Sequence, residues 1–301
     1  MQAPALENEA MYSGRSQATP AEDLRSPFSL LRPPAAVECP LIFASPHSGR
    51  VYPARMMAAS VLDERQIRSS EDAHVDALIE GAQDLGASLL LNRLARAYVD
   101  VNREPYELDP AMFEDELPAW AQGRSARVAA GLGAIARVVA NGLEIYGRKL
   151  TFAEARGRIE EVYLPYHAAL RGLIDETCEK FGRVLVIDWH SMPAAAARTS
   201  QGEVCDFVLG DRYGRSCDRR IVEAAERCLT ARGYRVARNT PYAGGYTTEH
   251  YGRPQEGVHA LQIEISRRLY LDEEAICAGP AFSELKQDLE TLFVCLAAWR
   301  G

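Results

Sequence analysis

The stretch Val184-Leu185-Val186-Ile187-Asp188-Trp189-His190-Ser191 limits the fold more than any other in this chain. A short apolar run rich in β-branched residues reads as a buried strand, and this one ends abruptly in an acid, an aromatic ring, an imidazole and a hydroxyl. Open α/β sheets bind ligands beyond the carboxyl ends of their strands, so Asp188-x-His190 is the first place to look for chemistry. There His190 can face a metal ion, with Asp188 near enough to orient it. Polar residues at a strand end also cap the next turn, and this stretch alone does not separate the two roles.

Other stretches take a similar form. Residues 40–45 are a core strand running into Pro46-His47-Ser48-Gly49, where Pro ends the ladder and Gly lets the backbone turn. Val258–Ser266 is a strand with Glu264 set between Ile263 and Ile265. An unpaired carboxylate is costly there, so Glu264 either meets a cation, Arg267 or Arg268, or works at a site. A helix is expected from Ser70 as N-cap, with Glu71 and Asp72 in its first turn and Val75, Leu78, Ile79 and Ala82 as its apolar stripe. Residues 95–103 alternate as a strand would and deliver Asn102 and Arg103 to a loop. The planar fork of Arg103 suits a substrate carboxylate, although a loop arginine is also at home in solvent.

Residues 104–120 read as a loop bordering a site. Helical patterns follow at 123–140 and 151–181, the second interrupted by Pro165, where a kink or break is expected, with His167 turned into packing. Beyond the opening strand come a strand at 204–210, a helix from Ser216 to Arg232 capped by Ser216 and stopped by Gly233, and a strand at 234–239. The loop 240–257, with Gly244-Gly245 and polar fingers, resembles a mobile lid. A closing helix spans 281–300.

Strands alternating with helices imply one α/β domain, a mixed and mainly parallel sheet with helices on both faces. Residues 1–30 read as a polar tail and 31–301 as the catalytic domain. The net charge of −8, with no Lys/Arg block, argues against nucleic acid. No apolar window approaches a membrane span and no signal-peptide core precedes the domain, so the expected location is the cytoplasm. Seven cysteines without a C-x-x-C pair read as free, buried thiols. Two imidazoles, His47 and His190, with one carboxylate from among Glu71, Asp72 and Glu264, form the donor set of a hydrolytic Zn2+ site. A second carboxylate can then take a proton from the attacking water.

Six segments together resemble the N-formylglutamate amidohydrolase family: Ser-Pro-His-Ser-Gly (45–49), Glu-Asp-Ala-His-Val-Asp (71–76), Val-Asp-Val-Asn-Arg (99–103), Asp-Trp-His-Ser-Met-Pro (188–193), Asn-Thr-Pro-Tyr-Ala-Gly-Gly (239–245) and Gln-Ile-Glu-Ile-Ser-Arg (262–267). The match runs in order from about residue 39 to 299. That family is similar in core fold to the zinc carboxypeptidases and aspartoacylase. The resemblance implies His47 and His190 as metal ligands, Asp72 as the third ligand with Glu71 in reserve, and Glu264 as general base. It also implies Arg103 with Asn102 as the receptor of a substrate carboxylate, and Tyr246, Arg253 and Arg267 at the substrate border. A His-x-x-Glu ligand pair is absent, because Arg50 stands three residues after His47. The activity implied is cleavage of a small anionic N-acyl amino acid, N-formyl-L-glutamate first, as in histidine breakdown. Another N-acyl amino acid or short peptide, or non-catalytic binding of an acidic metabolite, are the alternatives.

Overall fold

Strand β4 (Val184–Met192) runs through the middle of a seven-stranded sheet, and every residue in it is buried. On one side lie β2 (Leu41–Ser45), β3 (Ser88–Asn92) and β1 (Phe28–Leu31). On the other lie β7 (Val258–Ser266), β5 (Phe207–Gly210) and β6 (Val236–Arg238). Neighbours pair in parallel except at β1/β3 and β5/β7, which are antiparallel. This computed structural model describes residues 26–199 and 201–299. The expected tail as far as Arg25 and the end of the closing helix at Arg300 lie outside the described residues.

Period two sorts the side chains of β4. Val184 and Val186 enter one core with Ile42, Leu90 and Ala260, while Leu185, Ile187 and Trp189 enter another with Phe43, Leu89 and Ile263. A strand buried on both faces needs helices on both faces. The first core is covered by Phe152–Arg158 and by the helix Leu164–Phe181. The second is covered by α1 (Val75–Ile79), a helix at Arg219–Ala231 and the closing helix Phe282–Ala297. The expected sheet and layering are therefore present. Among the described residues, no helix is long and apolar enough to cross a membrane.

Local departures from expectation have physical reasons. Phe28–Leu31, inside the stretch expected to be tail, supplies an edge strand because its backbone pairs with β3 from Asn92 to Leu89. Residues 95–103 form turns rather than a strand: Tyr98 N–H donates to Ala95 O and Asp100 N–H to Ala134 O. Residues 123–140 contain only the short helix Ala126–Ala129, since Ala134 bonds to the backbone of Glu107 rather than to its own preceding turn. Ser70 is not a helix cap. Asp72 N–H donates to His47 O at 3.0 Å, which pulls the chain towards the sheet, and α1 starts only after His74 at φ 62°. Ser216 is likewise fastened elsewhere, its carbonyl accepting from Ala260 N–H at 2.7 Å, and Asp218 caps the helix by accepting from Arg220 N–H.

From Phe152 to Phe181 the helical path runs on without a break through Pro165. A π-helical turn, Ile159–Tyr163, precedes it and joins the helices on either side, which accommodates the missing proline N–H. The segment expected as a lid contains a helix, Tyr246–Tyr251, with Thr247 and Thr248 fully buried. All seven cysteines are free, but only Cys205 and Cys217 are buried and Cys277 is exposed.

Candidate active site

On β4 the side that carries Val184 and Val186 continues through Asp188 to His190, so one strand face changes from apolar to ionisable at its carboxyl end. Strand β7 lies in register, with Gln262 beside Asp188 and Glu264 beside His190. His47 follows β2 past Pro46, and Asp72 reaches in from the loop before α1. All of these side chains are buried.

The donor atoms of His47, Asp72 and His190 lie within 4.8 Å of one another. Asp72 Oδ2 stands 3.1 Å from His190 Nδ1 and 3.4 Å from His47 Nδ1. The opposite nitrogens point outward to carboxylates: His47 Nε2 is 2.7 Å from Asp100 Oδ1 and His190 Nε2 is 3.0 Å from Asp188 Oδ2. A carboxylate behind each ring fixes the tautomer and aims the other nitrogen inward, as in metal sites. His47 Nδ1 is buried without a hydrogen-bond partner. Two inward imidazole nitrogens and a carboxylate oxygen, one of the nitrogens unsatisfied, are a donor set that fits a divalent metal ion.

Further side chains hold this set. Asn102 Nδ2 donates to Asp188 Oδ2 at 3.0 Å and lies 3.0 Å from His190 Nε2, while its Oδ1 accepts from Thr247 N–H at 2.8 Å. Gly245 permits this, because a Cβ there would stand 2.6 Å from Asn102 Nδ2. Arg96 Nη2 bonds Asp100 Oδ2 at 2.7 Å, and Arg267 Nη2 bonds Asp72 Oδ1 at 3.2 Å.

Electrostatics follow from this packing. Burial opposes charge on Asp72 and Asp100, yet the histidines hold Asp72, and His47 and Arg96 hold Asp100, well below the usual carboxylate range. Burial also opposes charge on His190, but Asp188, Asp72 and Glu264 raise it well above an ordinary imidazole. Among the described residues, no lysine or arginine forms an ion pair with Glu264. Arg267 pairs with Asp72 and Arg268 with Asp206, leaving Glu264 a hydrogen bond from Gln262 Nε2 at 2.8 Å. Burial raises it to about 7, with Asp72 and Asp188 adding to the rise and His190 opposing it. A carboxylate titrating there is suited to exchange protons at neutral pH.

A cavity of about 620 Å³ opens over the cluster, lined by His47, Asp72, His190, Glu264, Arg103 and Asn102 among others. Several expected residues are placed differently. Glu71 turns away, paired with Arg68 and accepting from Tyr52 O–H at 2.8 Å. Arg267 reaches the cavity but is engaged by Asp72, and the amide of Asn102 is fully used by protein partners. Tyr246 and Arg253 line a neighbouring hollow, with Arg253 donating to the carbonyls of Glu249 and Gly252. His167 packs between helix and loop, its Nδ1 2.8 Å from Tyr251 Oη and its Nε2 2.8 Å from Val101 O. Sequence reasoning missed Asp100, Arg96, Arg127 and Arg212. An acid between Val99 and Val101 was the available signal for the first.

A mixed sheet with two buried histidines beyond its strand ends, a buried aspartate reaching in from a loop and a buried glutamate beside them is the arrangement of a hydrolase with a place for a metal ion. A family model described as N-formylglutamate amidohydrolase matches residues 39–271, and the chain belongs to that family. It is 32% identical over 240 residues to N-formylglutamate deformylase of Pseudomonas aeruginosa, covering 78% of this chain and 84% of that one. With the deformylase of Pseudomonas putida it shares 30% identity over 261 residues, covering 84% and 92%. A crystal structure of N-formylglutamate amidohydrolase from Ralstonia eutropha superimposes with a TM-score of 0.86 at 39% identity, covering 91% of this chain and 98% of that one.

Proposed function

We propose that this protein hydrolyses the formyl amide of N-formyl-L-glutamate to formate and L-glutamate, using Zn2+ held by His47, Asp72 and His190. The observation that carries the proposal is one cavity holding three converging donors, an unpaired Glu264 and Arg103. Zinc bound there supplies Lewis-acid polarisation of the formyl oxygen and lowers the pKa of the attacking water. Glu264, poised near neutrality, takes the proton from that water and returns it to the departing amine. Arg103, facing the same cavity, holds a substrate carboxylate so that the amide carbon meets the water. Asp100, Asp188 and Asn102 keep both imidazoles aimed. Operation in the cytoplasm on an acyl amino acid from histidine breakdown belongs to the same reading.

The test is a panel of N-formyl-L-glutamate, N-acetyl-L-glutamate, N-formyl-L-alanine and a γ-glutamyl dipeptide, with the released amine measured for each. N-formyl-L-glutamate is expected to give the highest kcat/KM. A higher value for another compound would move the assignment to that substrate.

A further inference from the structure

The cavity wall holds more arginine charge than its own carboxylates engage. Arg96, Arg103, Arg127, Arg212 and Arg267 all reach it. Arg96 and Arg267 are paired with the buried carboxylates of Asp100 and Asp72. Among the described residues, Arg103 bonds to the carbonyls of Leu132 and Asn102, at 3.1 and 2.9 Å, and no carboxylate pairs with it or with Arg127. Arg212 is paired at 2.9 Å with Glu249, whose side chain is 58% exposed. Among the described residues, none of these three guanidinium groups lining one cavity thus forms an ion pair with a buried carboxylate, in a chain whose net charge is −8. Such a local surplus draws anions inward against the overall sign.

Arg212 is the best fixed of these. Residues Arg212, Tyr213 and Gly214 follow one another at φ 53°, 57° and 82°. The left-handed region is costly for residues with side chains and persists only where the surroundings enforce it. Here Asn239 Oδ1 accepts from the N–H groups of Asp211 and Tyr213, at 3.1 and 3.2 Å, and Arg212 N–H donates to Ala243 O at 2.8 Å. A Cβ on Gly244 would stand 2.9 Å from Arg212 Cγ, so this glycine makes the room in which the arginine stem lies. The backbone is locked while the one ionic partner among the described residues is a solvent-facing glutamate able to turn away.

We propose that Arg212 receives a second carboxylate of the substrate, with Arg103 taking the first, and so makes the cavity select dianionic acyl amino acids over monoanionic ones. Glu249 occupies the guanidinium until the substrate's carboxylate replaces it. The assignment rests on the reading of this cavity as an N-acyl amino acid site.

Calorimetric titration with glutarate and with 4-carbamoylbutyrate tests it, since the two have the same length and differ by one charge. Wild type is expected to bind glutarate the more tightly. Arg212→Gln weakens glutarate about 10- to 100-fold while 4-carbamoylbutyrate stays within about twofold, and Arg212→Lys recovers part of the loss. Glu249→Gln, which frees the guanidinium, tightens glutarate by up to about fivefold and leaves the monoanion unaffected. Wild type showing no preference for glutarate, or Arg212→Gln weakening both ligands equally or neither, overturns the proposal. Should Arg212→Gln not fold, the glutamate variant decides: a change equal for both ligands, or none, contradicts it. No amide is cut in these titrations, so failure of the deformylase reading would appear separately, as absence of formate from N-formyl-L-glutamate.

Discussion

Each imidazole at the cluster turns one nitrogen to a carboxylate behind it and the other towards Asp72. The aim of His47 therefore depends on Asp100, which in the proposed chemistry acts through that ring rather than on the metal ion or the reacting bond. Asp100→Asn is expected to weaken metal binding about 10- to 100-fold, read by competition with a chromophoric chelator. Glu264 does different work: Glu264→Gln should lower kcat by about two to four orders of magnitude with the metal content of the purified protein unchanged. Both histidines and Glu264 stood out in the sequence because each interrupts or ends an apolar run, and Asp72 because it lies in the acidic start of an expected helix and matches the family motif. Asp100 interrupts one too, but the alternating pattern of 95–103 directed attention to Asn102 and Arg103 at its end. What that pattern could not carry was a fold in which Asp100 and Asn102 are both buried and both bonded to the cluster.

Among the elements, the loop leading into the helix Tyr246–Tyr251 presses on the site through backbone rather than side chain. Gly245→Ala would set a methyl group against Asn102, so a loss of about 1–3 kcal/mol in urea denaturation is expected together with weaker metal binding. The helix Leu164–Phe181 grips the same region through His167. Burial pushes His167 down to about 4, against the upward pull of the hydrogen bond with Val101 O. In the unfolded chain an imidazole titrates near 6.5. The unfolded state thus binds the extra proton between those two values, so the contribution of His167 to stability is full above about 6.5 and is lost as the pH falls towards 4. The total loss over that window should amount to roughly 3 kcal/mol at most, and His167→Gln should flatten the pH dependence of denaturation midpoints measured across it. Long periodic elements such as this helix were legible from their apolar spacing. The π-helical turn that absorbs Pro165 was not, since it depends on how the two helical segments pack on the sheet.

At the scale of the molecule, an acidic chain closes around a cavity rich in arginine. The parallel centre of the sheet was legible because strands buried on both faces carry continuous apolar runs, as β2, β4 and β7 do. Its antiparallel edge at Phe28–Leu31 was not, because a short strand flanked by prolines has too few residues for a period. Arg127 and Arg212 were hidden for a related reason: they lie far apart in sequence and meet only at the cavity. The central claim is that His47, Asp72 and His190 hold the metal on which deformylation depends. It is tested most directly by removing metal from the purified protein with a chelator, then following formate release from N-formyl-L-glutamate as Zn2+ is titrated back. The account predicts loss of activity and its recovery at one ion per chain; full activity in the metal-free protein would contradict it.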